Sequence, residues 1–193
     1  MRTPVHSSHF SSLLGLSPNL IRRFGNHTAD YRLYPETGYF VEAFDTHAYL
    51  SWLNNRNSGH FRRPLSLYVH IPFCHTLCSH CNFHQIIAHD NADSTNTYLH
   101  YLLREIKLHG QLFKNDPKVE QVYFGGGTPT YLNDTQLGEI IAGIQQNFNL
   151  VHEGEYCIEI DPRHFQHRSV QALRDMGFNY AIIGVQDFDQ QVQ

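Results

Sequence analysis

Three of the four cysteines of this chain fall within eight residues, as Cys74-x-x-x-Cys78-x-x-Cys81. Thiolates are soft ligands, and three on one loop can hold a soft metal centre. A structural zinc takes four tetrahedral ligands, usually from paired Cys-x-x-Cys knuckles or spaced histidines. His75, His80 and His84 stand close enough in sequence to supply the fourth. A cubane iron–sulfur cluster normally takes four cysteines, so three leave one iron open to another ligand. The crowding argues against unliganded loop cysteines. The count of three favours the cluster and leaves zinc open. Cys157, alone in an apolar run, reads as a buried small hydrophobe.

Three further phrases carry chemistry: GGGTPT from Gly125, EIDPR from Glu159 and GVQDF from Gly184. Consecutive glycines turn tightly and let a ligand approach the backbone. A carboxylate such as Glu159, ending an apolar strand, must be exposed or paired, most simply with a neighbouring base. Asp161 and Arg163 read as a structural turn and ion pair. The elements that must position these phrases follow from periodicity. Leu65–Ile71, Gln121–Phe124, Glu155–Ile160 and Tyr180–Val185 read as strands. Ser94–Phe113, a stretch opened by Asn133-Asp134 and running through Ile144, and Ser169–Met176 read as helices, the last ended by Gly177. Alternating strand and helix predicts an α/β fold of parallel βα units. In such folds the site lies at the carboxyl ends of the strands, where each of the four phrases falls.

The first 64 residues differ in character. They carry seven Arg, no Lys and four acids, for +3, whereas residues 65–193 carry seven bases and fourteen acids, for −7. Pro4, Pro18 and Pro35 break this segment, with short helices expected after Ser17-Pro18 and over Val41–Leu53. We read 1–64 as an irregular or helical N-terminal arm and 65–193 as the βα region. The 193 residues, 41% hydrophobic and 17% charged, suit a globular chain rather than a disordered one. A net charge of −4 with no dominant basic run gives no reason to expect nucleic acid. The lack of a long apolar run or a secretory leader points away from a membrane and toward the cytoplasm.

The segment Pro64-Leu65-Ser66-Leu67-Tyr68-Val69-His70-Ile71-Pro72-Phe73-Cys74-His75 resembles the oxygen-independent coproporphyrinogen III oxidases (dehydrogenases) of the radical S-adenosylmethionine (SAM) superfamily. So do Gly125 to Leu132, Glu159 to Arg163 and Gly184 to Phe188; Leu20-Ile21 and the Tyr31 to Pro35 phrase match loosely. The resemblance implies a partial radical SAM (β/α) barrel over 65–193, incomplete at its C-terminal end. It implies a [4Fe–4S] cluster on Cys74, Cys78 and Cys81, and two molecules of SAM. Tyr68, His80, Gly126 and Glu159 would serve the cluster-bound SAM, and Gly127, Thr128 and Gln186 the second. The implied reaction converts coproporphyrinogen III to protoporphyrinogen IX through a 5′-deoxyadenosyl radical, with an electron donor as partner and the protein a monomer. No catalytic residue is assigned. Some of the arginines Arg22, Arg23, Arg32, Arg62 and Arg63 could supply cations for a substrate with four carboxylates, while for most of them a solvated arm is the favoured reading.

Phe83 stands where family members commonly carry a further cysteine, and His80 where an aromatic ring is common. A Cys-x-Phe ending is typical of related haem chaperones and haem-opening radical SAM enzymes, so those remain alternatives, as does a zinc module. Family members also continue through further βα units, so the chain is expected to hold the cofactors without completing turnover.

Overall fold

The computed structural model describes residues 17, 19, 39–40, 42–59, 63–78, 81, 85–87, 92–113, 115, 118–165, 170–185 and 187–189. His80, Phe83, His84, Gln186, Arg22, Arg23, Arg32 and Arg62 lie outside them, as do the Tyr31 to Pro35 phrase and most of the helix expected after Pro18. The chain forms two compact units, Met1–Tyr49 and Leu50–Gln193.

The first described helix, α1, spans Thr46–Ser58 rather than Val41–Leu53. Asp45 sets its start: Ala48 N–H donates to Asp45 Oδ1 at 2.8 Å, as an N-cap does. In the second unit, Arg56 lies over the Phe113 ring and Asn57 Nδ2 donates to the Leu112 carbonyl.

The second unit is built on β1 (Leu65–Ile71), β4 (Lys118–Gly126), β5 (Asn149–Glu159) and β6 (Tyr180–Ile182). They form one parallel sheet in the order β1-β4-β5-β6. The helices α2 (Ala92–Leu112), α3 (Asp134–Asn147) and α4 (Val170–Asp175) make the crossovers. This is the expected α/β pattern of parallel βα units. Strand β1 lies where the sequence predicts it, and β4 runs further at both ends. Strand β5 begins six residues before the expected Glu155. Its register jumps from Val119↔Leu150 to Gln121↔Glu155, so residues 151–154 bulge out and hide the two-residue period. The Tyr156 hydroxyl closes the bulge on the Val151 carbonyl. Strand β6 stops at Ile182 instead of Val185, and Ile183 and Val185 beyond it are exposed.

Helix α3 opens with a capping box in which Asn133 and Gln136 satisfy each other's backbone N–H groups. Asn133 is thus the cap and Asp134 the first-turn acid. Leu137, Ile140, Ile141 and Ile144 recur at helical spacing and are buried. With Val69, Ile71, Val122, Phe124 and Ile158 they make the core on one face of the sheet. Phe124 meets Phe178 edge to face at 5.1 Å. Gly177, at φ +101°, takes the left-handed turn that ends α4. Among the described residues, no helix is long and apolar enough to cross a membrane.

Candidate cluster and cofactor site

A feature not anticipated from the sequence frames the cysteine loop. Strand β2 (Phe73–Cys74) pairs in parallel with β3 (Ile86–Ile87), Phe73 opposite Ile86 and Cys74 opposite Ile87. Ile86 N–H donates to the Pro72 carbonyl at 2.8 Å. Both ends of the loop are therefore pinned, with Cys78 and Cys81 between them. The only signal in the sequence is the apolar pair Ile86-Ile87, too short to read as a strand.

Cys74 is buried, Cys78 and Cys81 are half-buried, and all three are free thiols. The Cys81 N–H donates to the Cys78 carbonyl at 3.2 Å, closing a turn. Burial pushes the Cys74 thiol above its ordinary pKa. The Thr128 hydroxyl, 3.6 Å from Cys74 Sγ, opposes this, while Cys81 and Cys78 add to it. A neighbouring cation would favour the Cys74 thiolate against this burial. Among the described residues, no three His, Cys, Asp or Glu side chains are grouped to hold a single metal ion. A cluster, in which each thiolate takes a different iron, does not require that convergence, and three soft donors with no fourth cysteine nearby suit it. The His75 ring is engaged by His164, 4.4 Å away and stacked, and by Tyr131 at 4.7 Å.

The glycine run packs onto this loop. Gly126 has φ +113°, a conformation that L side chains rarely adopt, and a Cβ there would stand 2.6 Å from His70 Nδ1. A Cβ on Gly127 would lie 2.7 Å from the Phe73 carbonyl and 2.9 Å from Cys74 Sγ. Two backbone bonds draw the segments together: Gly127 N–H to the Ile71 carbonyl and Thr128 N–H to the Phe73 carbonyl, both 2.8 Å. Gly127 and Thr128 are thus committed through their amides to the turn that carries Cys74.

The sheet face opposite the core supplies the rest. Tyr68 pairs with Tyr123 across β1 and β4, and their rings stack at 5.6 Å and 16°. Tyr68 is 58% exposed. The Tyr123 hydroxyl donates to Glu159 Oε1 at 2.6 Å. Among the described residues the partner of Glu159 is therefore a phenol, not the base that its position suggests. Burial and then the Glu159 carboxylate raise the Tyr123 pKa well above the usual phenol range, so the phenol stays a donor. Tyr123 was absent from the sequence-derived set. The two-residue alternation Gln121, Tyr123, Gly125 along β4 could have placed it beside Tyr68. Cys157 shares this face and is half-buried, which corrects its reading as a buried residue.

Beyond β5, Pro162–His164 form a short 3-10 turn. The Asp161 carboxylate accepts from Arg163 Nε at 2.9 Å and Nη2 at 2.8 Å, and His164 Nδ1 lies 3.1 Å from Oδ2. Arg163, first, and then His164 hold the Asp161 carboxyl far below the usual carboxylate range against the opposing effect of burial. Arg163 Nη2 also reaches Cys78 Sγ at 3.6 Å. The turn and pair expected of Asp161 and Arg163 are present, and they touch the cysteine loop.

The structure thus gathers Cys74, Cys78 and Cys81 with Gly126, Gly127 and Thr128 at the carboxyl ends of β1 and β4. It sets Tyr68 and Glu159 on the adjoining open face. Comparison with known proteins agrees with this arrangement. A 41% identical relative, the oxygen-independent coproporphyrinogen III oxidase of Pseudomonas aeruginosa, aligns over 91% of this chain and 38% of its own length. The protein of that name from Escherichia coli is 38% identical over 90% of this chain and 37% of its own. A solved structure described as coproporphyrinogen III oxidase (HemN) from Escherichia coli, a radical SAM enzyme, superposes with a TM-score of 0.75 at 36% identity. It covers 89% of this chain and 37% of the solved one. The chain therefore spans well under half the length of these relatives. Residues 68–193, from Tyr68 through the last strand tip, match the sequence model of the Radical SAM superfamily, and the chain belongs to that superfamily.

Proposed function

We propose that this chain is the cofactor-holding part of an oxygen-independent coproporphyrinogen III oxidase. The observation that carries this reading is the packing of the glycine strand end onto Cys74, where a side chain at Gly127 would strike the sulfur. The relatives' names supply the substrate.

Cys74, Cys78 and Cys81 would hold a [4Fe–4S] cluster, with SAM completing the ligand set of the fourth iron. When bound, the pair supplies one-electron cleavage of SAM and a radical able to remove hydrogen from a propionate side chain. The chain's own residues bind and orient. The Gly126 backbone would receive the amino group of SAM. Glu159, held by Tyr123, presents a carboxylate to its ribose hydroxyls, and Tyr68 offers an amphipathic ring beside it. His80 would lie beside the adenine of the cluster-bound SAM, and Gly127, Thr128 and Gln186 would serve a second SAM. An electron donor is the expected partner.

The test is an anaerobic assay of the cluster-loaded chain with SAM, reductant and either coproporphyrinogen III or haem. Formation of 5′-deoxyadenosine, accelerated by coproporphyrinogen III and not by haem, supports the reading. Stoichiometric haem binding without consumption of SAM would replace it with a haem-chaperone role.

A further inference from the structure

We propose that Arg163 is a positioning residue that donates an N–H···S hydrogen bond to Cys78 and thereby raises the reduction potential of the centre on the cysteine loop. The inference rests on the reading that Cys74, Cys78 and Cys81 hold an iron–sulfur cluster. No side chain of the Asp161–His164 turn is among the residues assigned above to cluster or cofactor.

The geometry is specific. Asp161 grips one edge of the guanidinium, at Nε and Nη2, and also accepts the Arg163 backbone N–H at 3.0 Å. The planar fork is thereby fixed with one N–H edge turned to Cys78 Sγ. Asp161 is itself anchored: its side chain is only 13% exposed, and its N–H reaches Thr130 Oγ1 at 3.5 Å. The preceding residue, Ile160, donates to the Ile182 carbonyl of β6 at 2.9 Å. His164 meets the other end of the loop by stacking on His75, beside Cys74. The turn thus touches the cysteine loop at two points, and one of them is a sulfur.

Hydrogen bonds to ligating sulfur are an established lever on cluster potential. Three thiolates make the cluster anionic, and reduction adds one more negative charge without moving a proton or breaking a bond. A donor aimed at the sulfur stabilises the reduced state more than the oxidised one. Because Asp161 neutralises the guanidinium, the directed N–H carries the effect rather than bare charge.

The experiment uses the full chain, loaded anaerobically with iron and sulfide and titrated with dithionite without SAM, with visible absorbance and electron paramagnetic resonance as readouts. Arg163→Met lowers the midpoint potential. Arg163→Lys, which keeps the charge but not the fork, lowers it by a smaller amount. Arg104→Met, the same charge change on the exposed side of α2, leaves it in place. A midpoint unchanged in Arg163→Met overturns the proposal. So does full retention in Arg163→Lys, or an equal shift in Arg104→Met. Failure of the wild-type chain to take up iron overturns the cluster reading itself, which separates the two failures. Arg163 is 56% exposed, so its replacement leaves the fold intact, and the far-ultraviolet circular dichroism of each variant checks this.

Discussion

The two faces of the parallel sheet are built to opposite rules. On the helix-covered face, Val69, Phe124 and Ile158 lie in register on neighbouring strands and are at most 4% exposed. On the other face, one residue along, Tyr68, Tyr123 and Cys157 make the matching row, and Tyr68 is 58% exposed. Parallel sheets usually bury both faces in apolar contacts. Here the second face carries phenols, an imidazole and a carboxylate, and it ends in glycines at the cysteine loop. The first face supplies stability, and the second spends some of it on presenting polar groups in fixed positions.

That division predicts substitutions with separable effects. The largest loss of stability belongs to Phe124→Ala, since a fully buried ring that contacts Phe178 is removed: about 3–5 kcal/mol by denaturant unfolding. A loss below about 1 kcal/mol would show that the helix-covered face is not the core of this unit. Gly127→Ala comes next. Its Cβ meets two carbonyls and Cys74 Sγ, so roughly 1–3 kcal/mol of overpacking is expected, together with weaker iron retention. Unchanged iron content would separate the glycine run from the cysteine loop. Asn133→Ala, which removes the α3 cap, costs about 1 kcal/mol and leaves iron binding unaltered. Tyr123→Phe is the smallest for the fold, within roughly 0.5 kcal/mol as a partly exposed change. It nonetheless frees Glu159 and weakens SAM binding to the cluster-loaded chain several-fold, by the net worth of about 0.5–1.5 kcal/mol for a partly exposed hydrogen bond. Equal SAM affinity in Tyr123→Phe would remove Glu159 from the cofactor site or show that it needs no positioning.

Both faces were partly legible in the sequence, for different reasons. The β-branched and aromatic run Leu65–Ile71 and the helical spacing of Leu137, Ile140, Ile141 and Ile144 sufficed to place β1 and α3, because residue type and periodicity report on a half-buried strand and a buried helix face. The bulge at 151–154 defeated that logic, since a register jump erases the period that announces a strand. The β2–β3 ladder was invisible because two residues make no pattern, and only the fold brings Phe73 and Cys74 beside Ile86 and Ile87. The cysteines and glycines were readable as residue types with fixed spacing. Their mutual contact was not, since Gly127 and Cys74 meet only through tertiary structure. The same holds for Arg163, whose pairing with Asp161 is local and whose reach to Cys78 spans 85 residues.

The central claim is that the cysteine loop holds a cluster with one iron left for SAM. The most direct measurement is anaerobic iron and sulfide analysis of the loaded chain, followed by electron paramagnetic resonance of the reduced protein with and without SAM. The account predicts about four iron and four sulfide per chain and a spectrum that changes when SAM is added. Preferential binding of one zinc per chain, or a cluster whose spectrum is indifferent to SAM, would contradict it.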